Sequence, residues 1–265
     1  MNDKMAVSSE MAGMVDITDL SLAAQTMPNR SNILTTHPKM QMQLLHIGNE
    51  QSPLLVIDNL LAQPELLVAH ACRQPFVANS PYYPGVRAPA PLQYQQLLLQ
   101  ALQPTLLEVF ALPQRPLSFS VCHYSIVTTP PTQLKLLQRI PHFDTVEPHA
   151  LAAVHYLFQG DLGGTAFYRH RKTGFETIDH SRMQDYYRSL ESENDGPNLP
   201  KANAGYIDGD TPLFEQIANP AGVFNRLVIY PRNLLHSGHI PADSPLSADP
   251  RQGRLTISSF IDCQP

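Results

Sequence analysis

Cysteine is scarce in this chain: Cys72, Cys122 and Cys263 are the only three in 265 residues. They are odd in number and lack C-x-x-C spacing, which excludes a disulfide framework and a cysteine-rich zinc site. Charge is scarce as well. Charged residues make up 15% of the chain, below the usual quarter, and the net charge of −5 comes without any Lys/Arg-rich block. That disfavours nucleic-acid binding through a basic patch and leaves only a local groove. Glycine is outnumbered by proline, thirteen to twenty-five, which argues for rigid turns and extended segments and against a helical bundle. No apolar stretch approaches the length of a membrane span. The opening "MNDKMAVSSEMAGMVD" lacks the basic start and apolar run of a signal peptide. These absences predict a soluble cytoplasmic protein that engages neither membrane nor nucleic acid.

Hydrophobic residues, at 43%, suffice for one sizeable core or two small ones. Residues 1–40 show little periodicity and read as a partly disordered N-terminal extension. Residues 41–265 read as a single domain. "MQLLHI" and "SPLLVIDNLL" look like strands, "AQPELLVAHAC" like a helix, and "NSPYYPGVRAPAP" like a proline-rich loop. Leu97, Leu98, Leu102, Leu106 and Leu107 fall at helical spacing. After Pro116 six segments alternate like strands: "LSFSVCHYSIV", "LAAVHYLF", "GTAFYRH", "VFNRLVIY", "LLHSGHI" and "RLTISSFI". The expected class is mainly β with flanking helices, a sandwich or barrel with core strands in 117–181 and 223–262. The polar stretch 182–222 reads as an insertion holding one or two short helices, of a length more often found in a lid than in a connector.

The chemistry starts at "IPHFDTVEPH". On a strand, residues i and i+2 share a face, so His142 and Asp144 project a nitrogen and an oxygen side by side. A third ligand is available in "VIYPRNLLHSGHIP" as His236, with His239 as the competing candidate. Two histidines and a carboxylate with open positions match the facial triad of non-haem Fe(II) oxygenases, whereas thiolate is absent and carboxylates are too few for a calcium cage. Further on, Arg254, Thr256 and Ser258 share a strand face. A buried arginine is costly unless it meets an anion, and its planar fork suits a carboxylate. Tyr124 shares a face with Cys122 and Ile126 and is the candidate to reach the same anion.

The ordered set Tyr124, His142-Phe143-Asp144, "GGTAFY", His236 and Arg254-Leu255-Thr256 resembles the Fe(II)/2-oxoglutarate-dependent dioxygenases, on the prolyl-hydroxylase-like side. The resemblance runs from about Leu54 to Ile261, and "FYRHRKTGFE" and "YYPGVRAPAP" point to a bacterial branch of it. It implies a double-stranded β-helix (jelly-roll, cupin-like) core. It further implies Fe(II) on His142, Asp144 and His236, and 2-oxoglutarate anchored by Arg254, Thr256 and Tyr124. O2 would be the co-substrate and hydroxylation of a small molecule, amino acid or peptide the outcome. Arg87, and Arg169 with His170 and Arg171, are expected at the mouth, where they would favour an acidic substrate. Two other readings stay open: a jelly-roll protein that binds a metal or small acid without turnover, and an interaction protein, such as a homodimer, with a vestigial triad.

Overall fold

The computed structural model describes residues 34–264 except 194, 195 and 202. In chain order the elements are β1 (Gln41–Ile47), β2 (Ser52–Asp58), α1 (Glu65–Ala71), β3 (Gly85–Pro89), α2 (Leu92–Val109), β4 (Leu117–Val127), β5 (Ala150–Tyr156), β6 (Thr165–His170), α3 (Met183–Glu193), β7 (Phe214–Ala218), β8 (Leu227–Pro231), β9 (His236–Gly238) and β10 (Leu255–Cys263). The described chain is thus mainly β. A large sheet has the order β1-β2-β8-β5-β10-β4-β3, a small one the order β7-β6-β9, and every pairing is antiparallel. Among the described residues no helix is long and apolar enough to cross a membrane.

Period-two alternation explains how the layers assemble. Leu55 and Ile57 of β2, Leu227 and Ile229 of β8, and Leu255 and Ile257 of β10 point to one side of the large sheet. There they pack with Leu67 of α1 and with Tyr94, Leu98, Leu102 and Leu106 of α2. The intervening residues Leu54, Val56, Val228 and Tyr230 point to the other side and pack with Phe167 of β6. The small sheet in turn covers its outer face with α3: Ala166 and Tyr168 cluster with Tyr186 and Leu190. One face of the large sheet is therefore sealed by helices, while the other faces the small sheet.

Three sequence expectations change here. "GVRAP" is a strand, β3, although prolines on both sides made it read as loop; it pairs along β4 at the edge of the large sheet, where proline is tolerated. The stretch 182–222 holds α3 as expected, but it also holds β7, which pairs with β6 and so belongs to the small sheet rather than to an insertion. Most of the expected N-terminal extension, residues 1–33, lies outside the described residues. Its last part is attached: Thr36 bridges Leu61, and the His37 N–H donates to the Leu60 carbonyl at 3.0 Å.

Candidate metal centre

His142 stands in an extended segment that lies alongside β9. Its N–H donates to the His236 carbonyl at 2.9 Å, and the His236 N–H returns a bond to the His142 carbonyl at 2.8 Å. This reciprocal pair places the two imidazoles on one side, with ring centroids 4.4 Å apart. Two residues on, the Asp144 N–H donates to the Arg232 carbonyl at 2.8 Å, which holds the carboxylate on the same side as His142. One ligand atom from each of His142, Asp144 and His236 lies within 4.8 Å of the others. Backbone pairing thus closes the long sequence separation that local structure could not.

The donor set fits a cation. His236 Nδ1 is 2.8 Å from the Leu234 carbonyl, so Nδ1 carries the proton and Nε2 presents a lone pair. That Nε2 sits 3.6 Å from Asp144 Oδ2, a buried oxygen with no hydrogen-bond partner among the described residues. His142 Nε2 is 3.8 Å from Asp144 Oδ1. A lone pair facing an anionic oxygen with no proton between them is repulsive until a positive ion takes the space. His142 opens into the cavity (52% of its side chain is accessible) yet is enclosed by protein. Enclosure pushes its pKa down to about 4, which keeps the ring available as a ligand.

These three residues line a cavity of about 780 Å³. Arg254 and Thr256 line it too, because alternation on β10 sends them to the side opposite Leu255 and Ile257. Arg254 is buried, and its guanidinium is held from behind by two carbonyls: Nε donates to Leu162 at 2.8 Å and Nη2 to Gly164 at 2.6 Å. The double glycine makes that grip possible. Gly163 has φ +76°, and a Cβ on Gly164 would come within 2.0 Å of the Pro220 carbonyl. No carboxylate pairs with Arg254 among the described residues, and burial lowers the pKa of its guanidinium. Arg87 lines the same cavity, stacked over the Tyr83 ring at 4.2 Å.

Two sequence-level placements are corrected, that of Tyr124 and that of Arg169 with its neighbours His170 and Arg171. Tyr124 faces the helices. The β4/β10 register sets Ser125 opposite Thr256 and Tyr124 opposite Ile257, and directly opposed residues point the same way. Tyr124 therefore shares the face of Ile257, with its hydroxyl 3.2 Å from His70 Nδ1, and does not line the cavity. Arg169 is also absent from the cavity lining. Its guanidinium is spent on Glu176 Oε1 at 2.5 Å and Glu215 Oε2 at 2.8 Å. His170 points into the protein against Glu193, and Arg171 pairs with Asp210, so "YRHR" does not form the mouth. His239, the competitor of His236, is bound to Asp208 Oδ1 at 3.0 Å, away from the cluster.

The sequence reading missed several lining residues. Tyr83, from the stretch read as loop, has a buried hydroxyl with no hydrogen-bond partner among the described residues. Burial raises its pKa against the opposing charges of Arg254 and Arg87. Tyr206 joins the lining from the polar stretch and donates to the Thr129 carbonyl at 2.7 Å. Tyr186, Tyr187 and Leu190 of α3 form an aromatic and apolar wall with Phe143. The expectation of a lid in 182–222 pointed toward Tyr186, Tyr187, Leu190 and Tyr206, and Tyr83 lies four residues before Arg87, which was expected at the mouth.

A family model described as a family of unknown function, DUF6445, matches residues 38–261. No curated protein matches the chain in sequence. Among solved structures the chain is similar to HygX from Streptomyces hygroscopicus with nickel and 2-oxoglutarate bound, at 13% identity over 81% of this chain and 84% of that one, TM-score 0.48. It is similar to the non-heme alpha ketoglutarate dependent epimerase SnoN from nogalamycin biosynthesis, at 11% identity over 81% and 80%, TM-score 0.49. It is similar to an oxidoreductase of the 2OG-Fe(II) oxygenase family from Burkholderia pseudomallei, at 8% identity over 84% and 74%, TM-score 0.32. All three scores lie below 0.5, so the functional reading rests on the site's own geometry.

Proposed function

We propose that this chain, which belongs to the DUF6445 family, is a non-haem Fe(II)/2-oxoglutarate-dependent oxygenase on a double-stranded β-helix core, hydroxylating a small molecule, amino acid or peptide. One observation carries the reading. A two-histidine, one-carboxylate set whose ligand atoms lie within 4.8 Å of one another shares its cavity with a buried arginine that no carboxylate balances. Each half asks for a different ligand. The triad suits a divalent first-row metal with open positions. The guanidinium asks for an anion. A metal-chelating keto acid with a second carboxylate answers both.

His142, Asp144 and His236 would hold the ion, and bound Fe(II) would supply the oxidising chemistry that converts R–H, 2-oxoglutarate and O2 into R–OH, succinate and CO2. The chain's residues do the rest. The Leu234 carbonyl fixes the His236 tautomer, and a neutral His142 needs no deprotonation before binding. The Leu162 and Gly164 carbonyls aim Arg254, whose remaining donors are left for the distal carboxylate of 2-oxoglutarate. Thr256 stands beside it on the same strand face, its hydroxyl donating to the Ser125 carbonyl at 3.3 Å, and would reach the anion only by turning from that carbonyl. The α3 wall screens the cavity from bulk water on one side.

The test is anaerobic addition of Fe(II) and 2-oxoglutarate to the purified protein. A weak visible charge-transfer band is expected, absent in His142→Ala. No band at saturating additions, with the fold intact by circular dichroism, would leave binding without turnover as the better reading.

A further inference from the structure

Arg87 is a second guanidinium in this cavity, and the proposed chemistry gives it no task. It sits on edge strand β3 opposite Ser125 of β4. Its Nε is buried with no hydrogen-bond partner, and no carboxylate lies within ion-pair distance among the described residues. The face of the Tyr83 ring lies against it at 4.2 Å. That stack orients the guanidinium plane without using any of its N–H donors. A pre-oriented fork with unspent donors, facing a cavity, is a half-built anion site.

Charge counting narrows the anion. Arg87, Arg254 and Asp144 are the only charged side chains among the residues that line the cavity. With a divalent ion and doubly charged 2-oxoglutarate in place, one positive charge stays uncancelled. A single carboxylate balances it; a phosphate dianion overshoots. One wall is apolar and largely aromatic: Phe143 packs against Tyr186 and Tyr187 with centroids 6.0 and 6.1 Å apart, and Leu137 and Leu190 extend the surface. A cavity of about 780 Å³ is also larger than the ion and a five-carbon diacid need.

We propose that Arg87 is the substrate's anion anchor, and that the substrate is a monocarboxylate carrying a flat apolar body that lies against Phe143, Tyr186 and Tyr187. This rests on the oxygenase reading and assigns that site its substrate class. Tyr83 is then the positioning residue: its ring holds the Arg87 plane.

The experiment uses the full chain loaded anaerobically with Fe(II) and saturating 2-oxoglutarate, titrated with phenylacetate and with neutral phenylacetamide. Binding is read by calorimetry and by the shift of the charge-transfer band. Wild-type protein is expected to prefer phenylacetate, and Arg87→Gln to weaken it roughly tenfold to a hundredfold while leaving phenylacetamide unchanged. Arg87→Lys should restore part of the preference, which a role confined to packing would not produce. Equal binding of acid and amide by wild type, or a preference that survives in Arg87→Gln, overturns the assignment. So does loss of the 2-oxoglutarate band in Arg87→Gln with its retention in Arg254→Gln, which would exchange the two arginines. Failure of the band in every protein would instead sink the oxygenase reading. The same pair titrated into metal-free protein then decides whether Arg87 selects a carboxylate.

Discussion

Arg254 Nη2 donates to the carbonyl of Gly164 at 2.6 Å, so the residue proposed to hold the co-substrate is itself held by the turn that precedes β6. Two consequences follow in binding. Arg254→Lys keeps the charge but loses the fork and both carbonyl contacts, and is expected to weaken 2-oxoglutarate roughly tenfold to a hundredfold. Gly164→Ala drives a Cβ to 2.0 Å from the Pro220 carbonyl, so backbone must move and the Arg254 grip moves with it. It should cost about 1–3 kcal/mol of stability and weaken 2-oxoglutarate as well. Calorimetric titration of 2-oxoglutarate and urea unfolding check the pair.

Tyr124→Phe should leave the 2-oxoglutarate affinity and the visible band as they are, because the ring lies on the helix side of the large sheet. Its cost is the contact to His70, about 1 kcal/mol in unfolding. A loss of 2-oxoglutarate affinity would return Tyr124 to the site.

Arg169 serves the fold. Glu176 is fully buried, and it accepts from Arg169 and from the backbone N–H groups of Asn49 and Glu50 at the β1–β2 turn. Arg169→Ala leaves that carboxylate buried with its counter-charge removed and should destabilise by about 3–5 kcal/mol. The folded fraction should still give the band at wild-type intensity, measured below the melting transition.

His155 supplies a pH dependence unrelated to chemistry. It is fully buried, stacked on Tyr94 with ring planes 6° apart, and hydrogen-bonded to Asn225 Oδ1 at 3.3 Å. Burial pushes its pKa down from 6.5 to about 4. The unfolded chain therefore takes up this proton first, and stability falls as pH drops from about 6.5 toward 4 while staying flat above. The loss reaches about 3 kcal/mol at the lower end. Urea midpoints across that window should slope in the wild type and slope less in His155→Phe.

Much of this arrangement was legible in the residues because strands announce their faces. Arg254-x-Thr256 against Leu255-x-Ile257 gave the right division; His142 and Asp144 do meet, but from an irregular segment tied to β9 by a single bridge at His142 rather than from the expected strand. What could not be read was which side of a strand meets the helices. Cys122, Tyr124 and Ile126 were correctly grouped, but the sequence contains no register, and only the pairing of Ile257 with Tyr124 assigns the group to the buried helix face. Strand β3 was hidden by its flanking prolines and β7 by the polar stretch around it, since an edge strand needs little apolar alternation of its own. Arg169 failed for a different reason: its partners Glu176 and Glu215 lie on other segments, and cross-strand ion pairs leave no local signature.

The most direct measurement is the anomalous diffraction of crystals grown anaerobically with Fe(II) and 2-oxoglutarate. A single iron peak bounded by Nε2 of His142, Nε2 of His236 and the Asp144 carboxylate, with the distal carboxylate of 2-oxoglutarate on Arg254, is the predicted result. Iron bound at other side chains, or none bound while the three donors keep their present positions, would contradict it.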